Sequence, residues 1–220
     1  MGLREQKGNM YSFVSHTWNP ISGKCIHECR YCYMKKFELK DVNLKEGELN
    51  TDLSNAEFIF VGSGTDMFAQ DVPDEWIQRV LEHCNKYPDV KFLFQTKNPQ
   101  RFHSHKFKFP PKTVFGTTIE TDDEEIIKKV SSAPLPIFRA IEMQGLPNEK
   151  MVTIEPIMKF SLESMVTLIE MIEPSWVNIG ADSKGSGLEE PTWDEIYELT
   201  VRLNKFTEVR NKRNIERIQG

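Results

Sequence analysis

Lys24-Cys25-Ile26-His27-Glu28-Cys29-Arg30-Tyr31-Cys32-Tyr33-Met34 is the stretch on which the reading turns. Three cysteines fall at the spacing Cys-x-x-x-Cys-x-x-Cys, with an aromatic residue, Tyr31, just before the last sulfur. Thiolates this close in sequence can converge on one soft metal centre. On a cubane of four irons, three protein ligands leave one iron open. An open coordination position is what metal chemistry needs and what a structural site avoids. Two other uses of the cysteines stand beside this one. A structural zinc site needs a fourth ligand, for which His27 and Cys84 are the candidates. His27 would have to fold back into the loop, and Cys84, in Glu82-His83-Cys84-Asn85, reads as the end of a helix. A disulfide fits poorly with four cysteines in 220 residues and no secretory signal.

At 220 residues the chain suits a single domain over 1–220, with 1–11 an N-terminal extension and 205–220 a basic C-terminal tail. Apolar residues make up 39% and charged residues 28%, as in an ordinary globular protein. No apolar stretch approaches the roughly 20 residues of a membrane helix, and the start of the chain has no export signal. A cytoplasmic, reducing location is therefore expected, with no membrane partner. The net charge of −5 gives no general attraction for nucleic acid. The end of the chain differs: Arg202, Lys205, Arg210, Lys212, Arg213 and Arg217 stand against Glu208 and Glu216. Such a run is either a solvated last helix or a grip on a phosphate-bearing substrate.

Short apolar runs alternate with helix-like stretches. The strands are expected over 12–17, 58–62, 91–96, 113–118, 151–155 and 176–180, most of them rich in β-branched and aromatic residues. Helices are expected over 73–81 and 122–129, with two more opening at Ser161 and Thr192. Alternation of this kind means a parallel α/β sheet with right-handed crossovers. Six strands are too few to close an eight-stranded barrel, and in barrel folds chemistry gathers at the C-terminal ends of the strands.

Those ends carry the polar candidates. After the second strand, Gly62-Ser63-Gly64-Thr65-Asp66 combines two glycines, which let a backbone come close to a ligand, with acceptors on Ser63, Thr65 and Asp66. Lys97 ends the third strand and can meet an anion, or stand solvated. Thr118 and Glu120 end the fourth. Glu155 is an acid in an otherwise apolar strand, costly unless bound or paired, so it is either a site residue or half of a structural ion pair. Gly180 ends the sixth and permits a close approach, with Asp182 just beyond.

The cysteine spacing resembles the signature of the radical S-adenosylmethionine (SAM) superfamily. The resemblance implies a partial (β/α)6 barrel of TIM type, open on one side, with a 4Fe–4S cluster on Cys25, Cys29 and Cys32. It implies SAM on the fourth iron, cleaved reductively to a 5′-deoxyadenosyl radical, and an external electron donor of flavodoxin or ferredoxin type. It places Tyr31, with His27 and Met34, beside the cluster. The Gly62–Asp66 loop would then meet the SAM amino group, with Asp66 as its carboxylate, and Lys97 the SAM carboxylate. Thr118 and Glu120 fall to the ribose, Gly180 to the adenine, and Glu155 to the same site. Thr17-Trp18-Asn19-Pro20, the loop 62–68, residues 96–101, Ile154-Glu155-Pro156 and residues 179–183 together are similar to a branch of phage and bacterial proteins distantly like spore photoproduct lyases. Asp182 departs from that branch, where glutamate is common. A nucleobase or nucleotide, in DNA of the phage type, is the favoured substrate class. The alternatives are a small metabolite or peptide, and a non-catalytic, metal-stabilised binding protein. The chain is short for such an enzyme, so a partner subunit that completes the site is a third expectation.

Overall fold

The computed structural model describes residues 2–219; Met1 and Gly220, the outer ends of the extension and the tail, lie outside the described residues. The strands are β1 (Arg4–Glu5), β2 (His16–Trp18), β3 (Ile21–Ser22), β4 (Asn43–Leu44), β5 (Phe58–Val61), β6 (Lys91–Thr96), β7 (Thr113–Thr118), β8 (Glu149–Ile154), β9 (Trp176–Ile179) and β10 (Glu208–Asn211). Between and after them come α1 (Asp74–Cys84), α2 (Glu124–Val130), α3 (Pro136–Met143), α4 (Leu162–Ile172), α5 (Trp193–Leu203) and α6 (Glu216–Gln219). Eight strands form one sheet in the order β1-β2-β5-β6-β7-β8-β9-β10. Within this sheet every pairing from β2 to β10 is parallel and β1 alone runs antiparallel, at the edge on β2, while β3 and β4 form a separate antiparallel pair. β1 and β10 do not pair, so the sheet stays open, as expected of a partial barrel.

Period-two alternation gives the sheet two different faces. Ile59, Val61, Phe92, Phe94, Phe115, Val152, Ile154, Val177 and Ile179 face the core shared with the helices. Phe58, Phe60, Leu93, Val114, Met151 and Trp176 face the concave side, where Tyr11, Phe13 and Val14 pack on them. Tyr11 and Phe13 stack at 5.2 Å, and Phe13 meets Trp176 edge-on at 5.1 Å. Counted in twos from these inward residues, the same register reaches Gly62, Lys97, Thr118, Glu120, Glu155 and Gly180 at the strand ends, and Gly62, Lys97, Thr118 and Glu155 line the space above the apolar floor.

Three expectations change. The first strand begins at His16, because Phe13 and Val14 are taken up by the barrel floor. The tail is no solvated helix: β10 adds a further parallel strand on β9, and Arg210 lies over the rings of Trp176 and Phe13 at 4.6 and 5.3 Å. Ser161 stands at the N-cap of α4 without a capping bond, whereas Thr192 and Glu195 form the full capping box of α5.

Candidate functional site

The cysteine loop is held at both ends by an antiparallel clip, in which Ile21 faces Leu44 and Ser22 faces Asn43. Gly23 opens the loop at φ +126°, and a Cβ there would come within 2.5 Å of the Asp41 carbonyl, so only glycine fits. Beyond it Cys25, Cys29 and Cys32 line one cavity of about 960 Å³ over the C-terminal ends of β5 to β9.

The Gly62–Asp66 loop turns much of its polarity onto this cysteine loop. Thr65 Oγ1 donates to the Gly23 carbonyl at 3.0 Å, and Tyr33 donates to the Ser63 carbonyl at 2.9 Å. Asn19 Oδ1 accepts from the Gly64 amide at 2.9 Å and from the Ser63 hydroxyl at 3.2 Å. Asp66 meets His27 Nε2 at 2.9 Å and also accepts from Thr96 Oγ1, the Lys97 amide and the Phe68 amide. Burial works to raise the Asp66 carboxyl, but the His27 contact and these donors outweigh it and leave the acid below its usual range. Asp66 is therefore already saturated by the protein, although Gly62, Ser63, Gly64, Thr65 and Asp66 all line the cavity.

Tyr31 leads to a second network. Its hydroxyl donates to Glu120, which also takes Lys97 Nζ at 2.5 Å and Arg139 Nη1 at 2.7 Å. Glu120 and Arg139 are both fully buried, and Arg139 also donates to the carbonyls of Pro134 and Thr118. Burial would raise the Glu120 carboxyl; Arg139 and Lys97 outweigh it and hold it at about 2. Glu120 thus stands behind the cavity wall, touching it through Tyr31 and Lys97, with its oxygens engaged by the protein and not offered to a ribose. Thr118 does line the cavity and accepts from Gln95 Nε2 at 3.2 Å.

At the far end Glu155 receives Asn9 Nδ2 at 2.8 Å, Asn214 Nδ2 at 2.9 Å and Lys212 Nζ at 2.6 Å. It forms an ion pair with Lys212 and also lines the cavity. Gly180 has a different occupant from the one expected: a Cβ there would lie 2.8 Å from the Glu155 carboxylate, so the close approach belongs to that side chain and Gly180 is off the cavity wall. Asn19, Arg139 and Asn214 carry much of this geometry. Asn19 falls in the stretch 17–20 that carries the resemblance, but the sequence gives it no role, and Arg139 and Asn214 go unmarked because a helix arginine or an amide reads as surface.

The donor set suits a 4Fe–4S cluster. Burial first, and then the Asp66 charge, push the Cys25 thiol up to about 12, so a thiolate there calls for a bound cation. Among the described residues no group of three His, Cys, Asp or Glu side chains is arranged to hold a metal ion. A cubane asks for something else, one sulfur on each of three irons around a shared body. The proposed fourth zinc ligands do not join the trio: Cys84 is buried in the helix-facing core and His27 Nε2 is engaged by Asp66.

No curated protein matches the sequence significantly. Solved structures do match the fold. Spore photoproduct lyase complexed with dinucleoside spore photoproduct superposes with a TM-score of 0.59 at 12% identity, over 91% of this chain and 64% of the lyase. A mutant of that lyase with bound AdoMet and the dinucleoside gives 0.57 at 13%, over 91% and 64%. Streptococcus suis SuiB bound to precursor peptide SuiA gives 0.61 at 14%, over 89% of this chain and 48% of SuiB. Both proteins are radical SAM enzymes, and the chain has their fold while spanning less than two thirds of their length. Residues 9–195 match a family model described as protein of unknown function (DUF5131), a stretch that runs from Asn9 through the cysteine loop to the start of α5, and the chain belongs to that family.

Proposed function

We propose that the chain is a radical SAM enzyme acting on a nucleobase or nucleotide, with Cys25, Cys29 and Cys32 as the ligands of a 4Fe–4S cluster. When bound, that cluster and SAM supply a 5′-deoxyadenosyl radical able to take hydrogen from an unreactive carbon. The observation that carries the reading is the meeting of the three thiols with the polar strand ends in one cavity on this fold. The chain's own residues hold and shield. His27 and Thr65 fix the cysteine loop to the ends of β5 and β6. Tyr31, backed by Glu120, presents its ring on the wall next to Lys97, whose amine lies 5.3 Å from the ring centre. The apolar floor keeps water from entering beneath. An external flavodoxin- or ferredoxin-type donor delivers the electron.

The charge of the cavity favours an anionic substrate. Seven lysines line it against four acids, in a chain of net charge −5. Of the basic tail, Lys212 reaches the cavity, whereas Arg202, Arg210 and Arg217 pair with Glu163, Glu208 and Glu190 outside it. Lys7 and Lys184 on the same rim suit a phosphate. The test is anaerobic incubation with SAM and dithionite, reading 5′-deoxyadenosine with and without nucleosides and nucleotides. Nucleotide-stimulated product that weakens in the Lys7→Ala/Lys184→Ala double variant supports the reading. One zinc per chain, in place of about four irons, sinks it in favour of a binding module.

A further inference from the structure

Cys29 is the most buried of the three loop cysteines, and its sulfur lies 3.1 Å from the hydroxyl of Ser131. Ser131 sits just past α2 in extended backbone, at φ −155° and ψ 144°. Two backbone bonds press the cysteine loop against this corner: Arg30 N–H donates to the Val130 carbonyl and Ser132 N–H to the His27 carbonyl, each at 2.7 Å. The Ser131 oxygen also accepts from the Ala133 amide at 3.1 Å, and the His27 carbonyl lies 3.3 Å from it. One hydroxyl proton therefore has two acceptors in reach, the His27 carbonyl and the Cys29 sulfur.

The state of the sulfur decides between them. A protonated thiol can give its own proton to the Ser131 oxygen, leaving the hydroxyl to the carbonyl. A metal-bound thiolate can only accept, and it is the stronger acceptor because it carries charge. We propose that Ser131 is a positioning residue for the metal centre, donating its hydroxyl proton to the Cys29 thiolate and thereby raising the reduction potential of the cluster. This rests on the cluster reading above. An electron added to the cluster increases the negative charge on its sulfurs, so a donor at one sulfur favours the reduced form more than the oxidised form. Packing alone does not have that effect.

The experiment uses the full chain, reconstituted anaerobically, with a redox titration followed by the paramagnetic signal of the reduced cluster. Ser131→Ala is expected to bind the same iron as the wild type at a more negative midpoint potential, and Ser131→Thr to restore the wild-type value. Should the alanine variant load poorly, Ser131→Thr and Ser131→Val still differ by one hydroxyl at nearly constant shape, and the threonine form is expected at the higher potential. Equal potentials for the two members of either pair overturn the inference while leaving the cluster reading intact. A wild-type chain that assembles no four-iron cluster overturns both.

Discussion

His27 and Asp66 meet at 2.9 Å across 39 positions of sequence, Nε2 to Oδ2. The carboxylate is also fixed by Thr96 and by the Lys97 amide, so one side chain fastens the cysteine loop to the end of β6. Asp66 thus braces the cysteine loop while also lining the cavity.

Asp66→Ala removes the acceptor from four buried donors at once. The expected cost is about 3–5 kcal/mol of folding stability, as for other broken buried pairs, together with a fall in iron bound after reconstitution. Urea denaturation and iron analysis read the two effects. Full iron loading at wild-type stability would remove Asp66 from this role.

Glu120 sets a pH dependence. Its carboxyl is held at about 2, against an ordinary value of 4.5, because Arg139 and Lys97 outweigh the effect of burial. An acid depressed in the folded state lends stability above its unfolded value and loses it as pH falls through the folded one. Glu120→Gln should therefore cost about 3–5 kcal/mol at neutral pH. The gap to wild type should narrow from pH 4.5 down to about 2. Urea midpoints across that range check it, and a gap independent of pH contradicts it.

Two glycines with positive φ should respond differently to alanine. At Gly23 the new Cβ meets the Asp41 carbonyl at 2.5 Å, whereas at Gly8, φ +71°, nothing lies within 4 Å. Gly8→Ala carries only the backbone cost of about 1–2 kcal/mol. Gly23→Ala must also displace the clip that frames the cysteines, so its melting temperature should fall further and its iron content with it.

The cysteines should separate by role. Cys84 lies in the helix-facing core, where burial pushes its thiol far up, and Cys84→Ala should cost about 1–2 kcal/mol through the lost packing. Its iron content should match wild type. Alanine at Cys25, Cys29 or Cys32 should abolish both the cluster and 5′-deoxyadenosine formation. Iron bound normally by any of these three, or lost from Cys84→Ala, contradicts the assignment.

The central strands were legible because a strand buried on both faces must be an unbroken apolar run, as Phe58-Ile59-Phe60-Val61 is. β10 was not, since Glu208-Val209-Arg210-Asn211 pairs through its backbone while its polar side chains stay at the sheet edge. Four polar candidates, Lys97, Thr118, Glu120 and Glu155, share the inward register with Gly62 and Gly180, and that much follows from counting in twos. Their partners do not follow. α3 brings Arg139 to Glu120, and the chain beyond β10 brings Lys212 and Asn214 to Glu155; both are long-range meetings that no local pattern encodes. The first strand starts later than its sequence pattern predicts for a related reason: Phe13 and Val14 satisfy a strand pattern equally well as filling for the barrel floor.

That filling shuts the lower end of the sheet's inner face. With Tyr11, Phe13 and Val14 packed below the strand ends, the cavity lies open toward the cysteine loop and the strand ends, not through the underside.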